Sequence, residues 1–295
     1  MKSTSRAIAT AIVALTFWIG LASCSAQLAS DGGTSARSAR VEALQSVPLD
    51  QLTPETRREA QRILQSASIF RRMPATTIEC DPDLYLFAVR YPEVLVDIWR
   101  LMGVSTMTLQ RQGPYTLVCN DGAGTTSEIE LVYGTPTVHV FLGRGRYTGS
   151  RLVKQLDGSC LIVLRTQYLR NAEGRPATSS SLDVFVDIQN NPAEWVARIV
   201  APLFGSAADH NFVESLRFVE KLSGTAARNG PGVVGMSQRM TGVHPEVRTR
   251  FGQIAGLIYE RERQWESATL ESNPPHYRQI EYRSNRPADP PVESR

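Results

Sequence analysis

Hydrophobic and polar residues alternate with a period of two through most of residues 105–190. Successive side chains of a β-strand point to opposite faces of a sheet, so this alternation indicates strands that bury one face. Turn sequences such as Asp121-Gly122 and Asp157-Gly158 separate the alternating runs. We therefore predict a meander of antiparallel strands with one buried face and one solvent-exposed face. The predicted strands are residues 106–110, 115–120, 127–133, 137–142, 144–149, 152–155, 160–170 and 179–189.

Two proline-containing sequences mark helix starts on the N-terminal side of these strands. Thr53-Pro54-Glu55 and Asp81-Pro82-Asp83 each offer a capping side chain, a proline at the first helical position and an acid in the first turn. We predict that the first helix ends near residue 66 and the second near residue 90. A third helix should follow over residues 92–102, because a proline interrupts the second one.

The chain after the strands is predicted to be helical. Asn191-Pro192 has the composition of a helix start, and a broad apolar surface extends over residues 192–222. Pro202 and Gly205 should kink or split this long helix. Further helical patterns cover residues 231–268.

The N-terminus predicts export. Residues 1–6 carry two positive charges, and residues 7–22 are almost entirely apolar, which is the pattern of a secretory signal peptide. The apolar run is short for a membrane span. The sequence Leu21-Ala22-Ser23-Cys24 is similar to a bacterial lipobox, in which Cys24 would be lipidated, whereas ordinary cleavage would fall before Gln27. We expect a secreted, periplasmic or outer-membrane-anchored protein that contacts the membrane only through such a lipid.

Composition divides the 295 residues into segments of different character. Residues 27–52 are rich in Ser, Ala, Gly and Arg, as flexible linkers are. Residues 269–295 are polar and Pro-rich, which predicts disorder. The predicted segments are a signal peptide (1–26), a flexible linker (27–52), a helical arm (53–75), an α+β domain (76–230), C-terminal helices (231–268) and a disordered tail (269–295).

The order of these elements resembles the helix-grip fold of START and Bet v 1-like proteins. The resemblance is carried by the strand at 76–80, the helix pair at 81–102, the strands of 106–189 and the helix at 192–222. It implies that residues 76–230 form a curved antiparallel sheet wrapped around a long C-terminal helix, with extra helices at both ends. It also implies an interior cavity for a lipid or another apolar ligand. Because the resemblance lies in element order and length, it assigns no functional residue. In general character the chain is also similar to secreted proteins of planctomycete-type bacteria.

Charge and cysteine content narrow the possible partners. Lys2 and Arg6 supply two of the three net positive charges, so the chain after cleavage is nearly neutral and lacks the electrostatic footprint of a nucleic-acid-binding protein. Cleavage leaves Cys80, Cys119 and Cys160, for which we expect one disulfide of unspecified pairing and one free thiol. No cysteine has a histidine at metal-ligand spacing, so we predict neither a metal site nor a cofactor.

We assign no catalytic residue, and six side chains are candidate ligand contacts: His139, Phe141, Arg144, Arg146, Phe185 and His210. His139 and Phe141 share one face of a predicted strand. Gly143-Arg144-Gly145-Arg146 is interpreted either as an anion-binding hairpin or as a turn with solvated arginines.

His210 and Phe185 each have two interpretations. Glu214 lies one helical turn beyond His210 and could orient it as a general base, or else His210 simply occupies the first turn of a helix capped by Asp209. Phe185 lies between Asp183 and Asp187 on the second face of the last strand, opposite an apolar row.

These observations support three functions. The first is a non-catalytic exported module that binds a lipid or other apolar small molecule between sheet and helix. The second is a cyclase- or hydrolase-like enzyme of the same fold that uses His139 or His210. The third is a structural or interaction module of the cell envelope with a solid interior.

Overall fold

One antiparallel sheet organises the chain. The structure is a computed structural model that describes residues 32–148, 155–189 and 205–272. Within these ranges eight strands form an open sheet and seven α-helices accompany it, which confirms the α+β class. The strands are β1 Ile69–Arg72, β2 Thr76–Glu79, β3 Thr108–Arg111, β4 Thr116–Asn120, β5 Thr125–Gly134, β6 Val138–Tyr147, β7 Leu156–Arg170 and β8 Pro176–Gln189.

The strand order is β1-β8-β7-β6-β5-β4-β3, and β2 also pairs with β8. Every pairing is antiparallel, as the period of two predicts. The longest ladder joins β7 to β8, from Asp157 opposite Gln189 to Arg170 opposite Pro176. The predicted strand 152–155 lies almost entirely outside the described residues.

Two predicted turns are wrong, because the sheet continues through them. Gly143-Arg144-Gly145-Arg146 lies within β6 and pairs with strands on both sides, so residues 137–142 and 144–149 do not form separate strands. Asp157-Gly158 likewise lies within β7, where Gly158 is opposite Gly145. Local sequence favours a turn at both places, but hydrogen bonds from two neighbouring strands hold the backbone extended.

The helices are α1 Arg37–Gln45, α2 Pro54–Ser66, α3 Pro82–Arg90, α4 Glu93–Leu101, α5 Ser206–Arg228, α6 Gly230–Gln238 and α7 Pro245–Ser272, with a 3-10 turn at Leu49–Gln51. The predicted caps of α2 and α3 are confirmed. Thr53 Oγ1 accepts a hydrogen bond from the Thr56 amide at 3.3 Å, and Asp81 Oδ1 accepts one from Asp83 at 2.9 Å. No helix in the described ranges has the length and apolar character needed to cross a membrane.

The sheet face that contacts α1 and α2 is here called the arm face. Its buried strand residues are apolar and pack against both helices: Phe70, Val140, Leu142, Leu161, Val163 and Phe185. Ala39 and Ala43 of α1 are buried, as are Ile63 and Leu64 of α2. Two expectations are therefore corrected. Residues 37–45 are a packed helix and not a flexible linker, because small alanines let α1 lie close to the sheet. The sheet face that was expected to be exposed to solvent is covered by α1 and α2.

The opposite face, here called the inner face, packs against α3–α7. Leu182, Val184 and Val186 of β8 belong to one apolar cluster with Phe212 and Leu216 of α5. Residues 192–204 of the predicted long helix lie outside the described residues, and the described helix begins after Gly205. Helix α7 extends to Ser272, so the first residues of the predicted tail are helical.

Candidate functional site

The sheet separates the six predicted ligand contacts. His139 and Phe141 lie on the inner face, where their rings stack with centroids 6.4 Å apart. Arg144 lies on the same side of continuous β6 as Val140 and Leu142, and therefore on the arm side. Phe185 is buried on the arm face against Phe70, at a centroid distance of 5.0 Å. The predicted group therefore does not form one site.

The two arginines of β6 take part in ion pairs at the surface. Arg144 contacts Glu59 of α2 and Glu128 of β5, and Arg146 Nε donates to Asp157 Oδ1 at 2.7 Å. An anion-binding hairpin is not formed, because the glycines that would expose amides are inside the sheet.

His210 is exposed on α5 and has no carboxylate partner among the described residues. Glu214 pairs with Arg217 at 2.6 Å. Asp209 does not cap the helix, whose N-cap is Gly205; it accepts hydrogen bonds from Arg71 and from the Gly33 amide. The predicted pairing of His210 with Glu214 is therefore not formed in this helix.

Buried carboxylates on the arm face are fully partnered. Asp183 is 1% exposed and accepts from Arg72 Nε at 2.7 Å and from Arg165 Nη1 at 2.6 Å. Asp187 accepts from Arg62 Nη1 at 2.7 Å, and the same guanidinium donates to Ser159. A buried charge is tolerated only when paired, and these pairs also tie α2 and β1 to the sheet.

The inner face holds a buried histidine with a free donor. His139 is 0% exposed, and Gly134 on β5 leaves room for its ring, since a Cβ there would lie 3.3 Å from His139 Cδ2. Arg90 Nε, at the end of α3, donates to His139 Nε2 at 3.5 Å. Burial and the charge of Arg90 lower the pKa of His139 to about 4. The ring is thus neutral with its proton on Nδ1, and that atom has no hydrogen-bond partner within the described ranges.

Beside His139 lies a network of hydroxyl groups. Tyr85 OH of α3 is 2.6 Å from Ser180 Oγ and 3.2 Å from Thr166 Oγ1. Ser180 and Thr166 are directly opposite in the β7–β8 register, and Tyr168 meets Tyr85 edge to face. Burial raises the pKa of Tyr85 and raises that of Tyr168 to about 12, so both phenols stay protonated.

All the unpartnered buried polar side-chain atoms of the described residues lie on strands at the inner face. They are Ser127 Oγ, His139 Nδ1, Tyr147 OH and Thr178 Oγ1. Ser127 lies opposite Cys119, whose weakly polar thiol is beside the Ser127 hydroxyl. Folded proteins leave few such atoms unpaired, so four on one face need an explanation. We call Tyr85, Arg90, His139, Thr166, Thr178 and Ser180 the inner polar cluster.

Sequence reasoning found His139 and missed the rest of this cluster. One signal was available: Thr178 and Ser180 alternate in phase with Leu182 and Val184, so they lie on the face predicted to be buried. The contribution of α3 could not be read from the sequence, because nothing in it tells which strand residues Tyr85 and Arg90 contact.

The three cysteines of the folded part are free and buried, so the expected disulfide is not formed. Burial raises the pKa of Cys80, Cys119 and Cys160 to about 12, which makes each thiol a poor nucleophile. Within the described residues, no group of His, Cys, Asp or Glu is arranged to hold a metal ion.

A groove of about 470 Å³ lies between α6 and α7, lined by Val234, Ser237, Gln238, Pro245, Arg248, Thr249, Gly252 and Gln253. None of these residues belongs to the inner polar cluster, so this groove and the cluster are separate features.

No protein-family model matches the sequence, and no curated protein is similar to it.

Proposed function

We propose that this chain is an exported, non-catalytic module that binds an amphipathic lipid or similar small molecule between the inner face of the sheet and its helices. The observation that carries the proposal is the uneven distribution of unpartnered polar atoms. Four lie on the inner face, whereas the buried polar residues of the arm face, Ser159, Asp183 and Asp187, are all hydrogen-bonded.

Energetics favours a ligand as the missing partner. A buried polar group without a hydrogen bond costs about 1–3 kcal/mol. The arm face avoids this cost throughout, so the chain is able to satisfy buried polar groups where only packing is required. A ligand with oxygen acceptors would recover part of this cost at whichever of these atoms it contacts.

The strand topology also supports the helix-grip proposal. Strand β2 is followed by the α3–α4 pair, by the meander β3–β8 and then by α5, whose apolar side joins the inner core. The first and last strands of this sequence, β2 and β8, are paired. This is the element order on which the resemblance rests, and proteins of that kind enclose their ligand between sheet and helix.

The non-catalytic part of the proposal rests on His139. Its only polar contact among the described residues is Arg90, a cation that cannot accept a proton or orient the ring as a carboxylate would. The buried thiols are equally unsuited to attack a substrate. Each group is therefore better suited to binding than to chemistry.

Native mass spectrometry tests this function directly. The full chain, purified from the cells that produce it, should carry a stoichiometric small-molecule adduct that is released when the protein is unfolded in organic solvent. Recovery of the folded protein without any adduct, even after incubation with a total lipid extract, would overturn the proposal.

Export requires a separate experiment. Cells grown with a labelled fatty-acid precursor should transfer label to the wild-type chain and not to the Cys24→Ser variant if the lipobox is used. Unlabelled mature protein that begins at Gln27 would indicate ordinary cleavage. Uncleaved protein retained in the cytoplasm would refute export.

A solid interaction module is the second candidate, favoured by the continuous packing on both sheet faces. The inner apolar cluster runs from Leu164 and Val184 through α5 to Phe251 of α7. Under this alternative, adduct-free protein would be recovered together with another protein.

A further inference from the structure

We infer that the ligand ends in a carboxylate, and that Arg90 of the inner polar cluster holds it while His139 positions the Arg90 guanidinium. This inference rests on the proposed function and names the chemistry of the ligand's polar end. It follows from the donors that the site presents and from the charges around them.

Arg90 is a guanidinium without a counter-ion among the described residues. It is half-buried at the end of α3, and its side chain has one described contact, the 3.5 Å approach to His139 Nε2. Other half-buried arginines of the sheet are paired, such as Arg72 and Arg165 with Asp183. A half-buried guanidinium retains five donor positions, and only an acceptor can use those that remain.

His139 positions Arg90 for such an acceptor. Its Nε2 accepts from Arg90 Nε at 3.5 Å, and no described contact uses the two Nη groups of the guanidinium. These two groups can donate in parallel to the two oxygens of one carboxylate, whereas an amine or another cation would leave them unsatisfied.

Two further arginines contact the ring of Tyr91, the residue that follows Arg90. At the junction of α3 and α4, the guanidinium groups of Arg111 and Arg250 lie 4.9 and 5.7 Å from the centroid of the Tyr91 ring, and Arg90 is the preceding residue. Arg111 is neutralised by Glu93, with Nε to Oε1 at 2.6 Å and Nη2 to Oε2 at 2.9 Å. Among the charged groups described at this junction, two of three arginines thus remain without a carboxylate.

The burial of the site selects a single negative charge. Desolvating an anion is costly and must be offset by nearby positive charge. Arg90 can compensate one negative charge. A carboxylate meets this limit, whereas a doubly charged phosphate would remain undercompensated in a largely buried site.

Calorimetric titration of the full chain with dodecanoate and with dodecanol tests the inference, because these probes share the apolar chain and differ in the polar end. We expect dodecanoate to bind at least on the order of tenfold more tightly, the usual gain from hydrogen bonds to a charged group. Arg90→Gln should abolish this preference and leave dodecanol binding unchanged. Arg90→Lys should retain part of it, since the charge remains.

Arg146→Gln is the matched control, since it removes a guanidinium from an exposed ion pair away from the inner face. Its preference for dodecanoate should equal that of the wild type. Thermal unfolding of each variant verifies that it is folded.

The possible failures can be told apart. Equal binding of both probes to the wild type would overturn the inference and leave the proposed function intact. Binding of neither probe would count against both. Dodecyl phosphate binding as tightly as dodecanoate would overturn the assignment of a singly charged group. Loss of preference in Arg146→Gln would place the anion elsewhere.

Discussion

The two faces of the sheet bury polar groups in different ways. On the arm face the buried polar residues are carboxylates or a serine, and each is held by an arginine from α2, β1 or β7. On the inner face they are hydroxyls and an imidazole, and four polar atoms lack a partner in the part of the chain that the structure describes. Neighbouring residues of the same strands produce both patterns. The difference suggests that the arm face is built to attach the N-terminal helices, and the inner face to receive a partner from outside.

The largest effect is expected from Phe185→Ala, which removes a fully buried ring from the arm face. Loss of its packing against Phe70 should lower the free energy of unfolding by about 4 kcal/mol, as for other buried aromatic side chains. Urea unfolding measures the loss, and ligand affinity of the folded fraction should not change. A fall in affinity at unchanged stability would contradict the division between faces, since it would make Phe185 a ligand contact.

Asp183→Asn tests the ion pairs of the arm face. The substitution removes the charge that compensates Arg72 and Arg165, so we expect a loss of about 3 kcal/mol in the free energy of unfolding. Asp157→Asn, in the exposed pair with Arg146, is the control and should cost less than about 1 kcal/mol. Equal effects of the two substitutions in chemical denaturation would show that burial does not distinguish these pairs.

The titration of His139 should make the free energy of unfolding fall as the pH is lowered. Its folded-state pKa of about 4 is below the ordinary value of 6.5, so the unfolded chain binds a proton first as pH falls. The contribution of His139 to the free energy of unfolding is complete above about pH 6.5. It declines as the pH falls towards 4, by at most about 3 kcal/mol.

The difference in unfolding free energy between wild type and His139→Gln isolates this contribution. The difference should be constant above about pH 6.5 and change only below it. A constant difference across the whole range would mean that His139 titrates as an exposed histidine does.

The smallest change in the free energy of unfolding is expected from Thr178→Val, and it should be an increase. Thr178→Val replaces an unpartnered buried hydroxyl with a methyl group of similar size, so we expect stabilisation by about 1 kcal/mol. Thr166→Val removes a partner of Tyr85 and should destabilise by a similar amount. Differential scanning calorimetry compares the two, and destabilisation by both would indicate that Thr178 has a partner in solution.

The sequence predicts the sheet better than its surroundings. A period of two is a local property, so the antiparallel strands could be predicted, and the capping residues Thr53 and Asp81 mark their helices correctly. Gly143 and Gly158, where turns are predicted, lie inside β6 and β7. The sequence could not reveal this, because pairing with both neighbouring strands overrides the local preference for a turn.

The sequence pattern also does not show that helices cover the arm face of the sheet. Helix α1 buries only alanines, which give a weak hydrophobic pattern, and its attachment depends on distant partners such as Arg72 with Glu42. The partners of His139 depend on how α3 lies across the sheet, a tertiary relation that no spacing in the sequence encodes. The alternation of residues did place His139 and Phe141 on the same strand face, which is the inner face.

Methyl NMR with bound dodecanoate tests the central claim, because β7 places labels on both faces of the same strand. Ile162 and Leu164 face inward, and Leu161 and Val163 face the arm helices. If the inner face binds the ligand, nuclear Overhauser effects from the ligand chain should reach Ile162 and Leu164 and not Leu161 or Val163. Contacts to the arm-face methyls, or to none of the four in saturated protein, would contradict it.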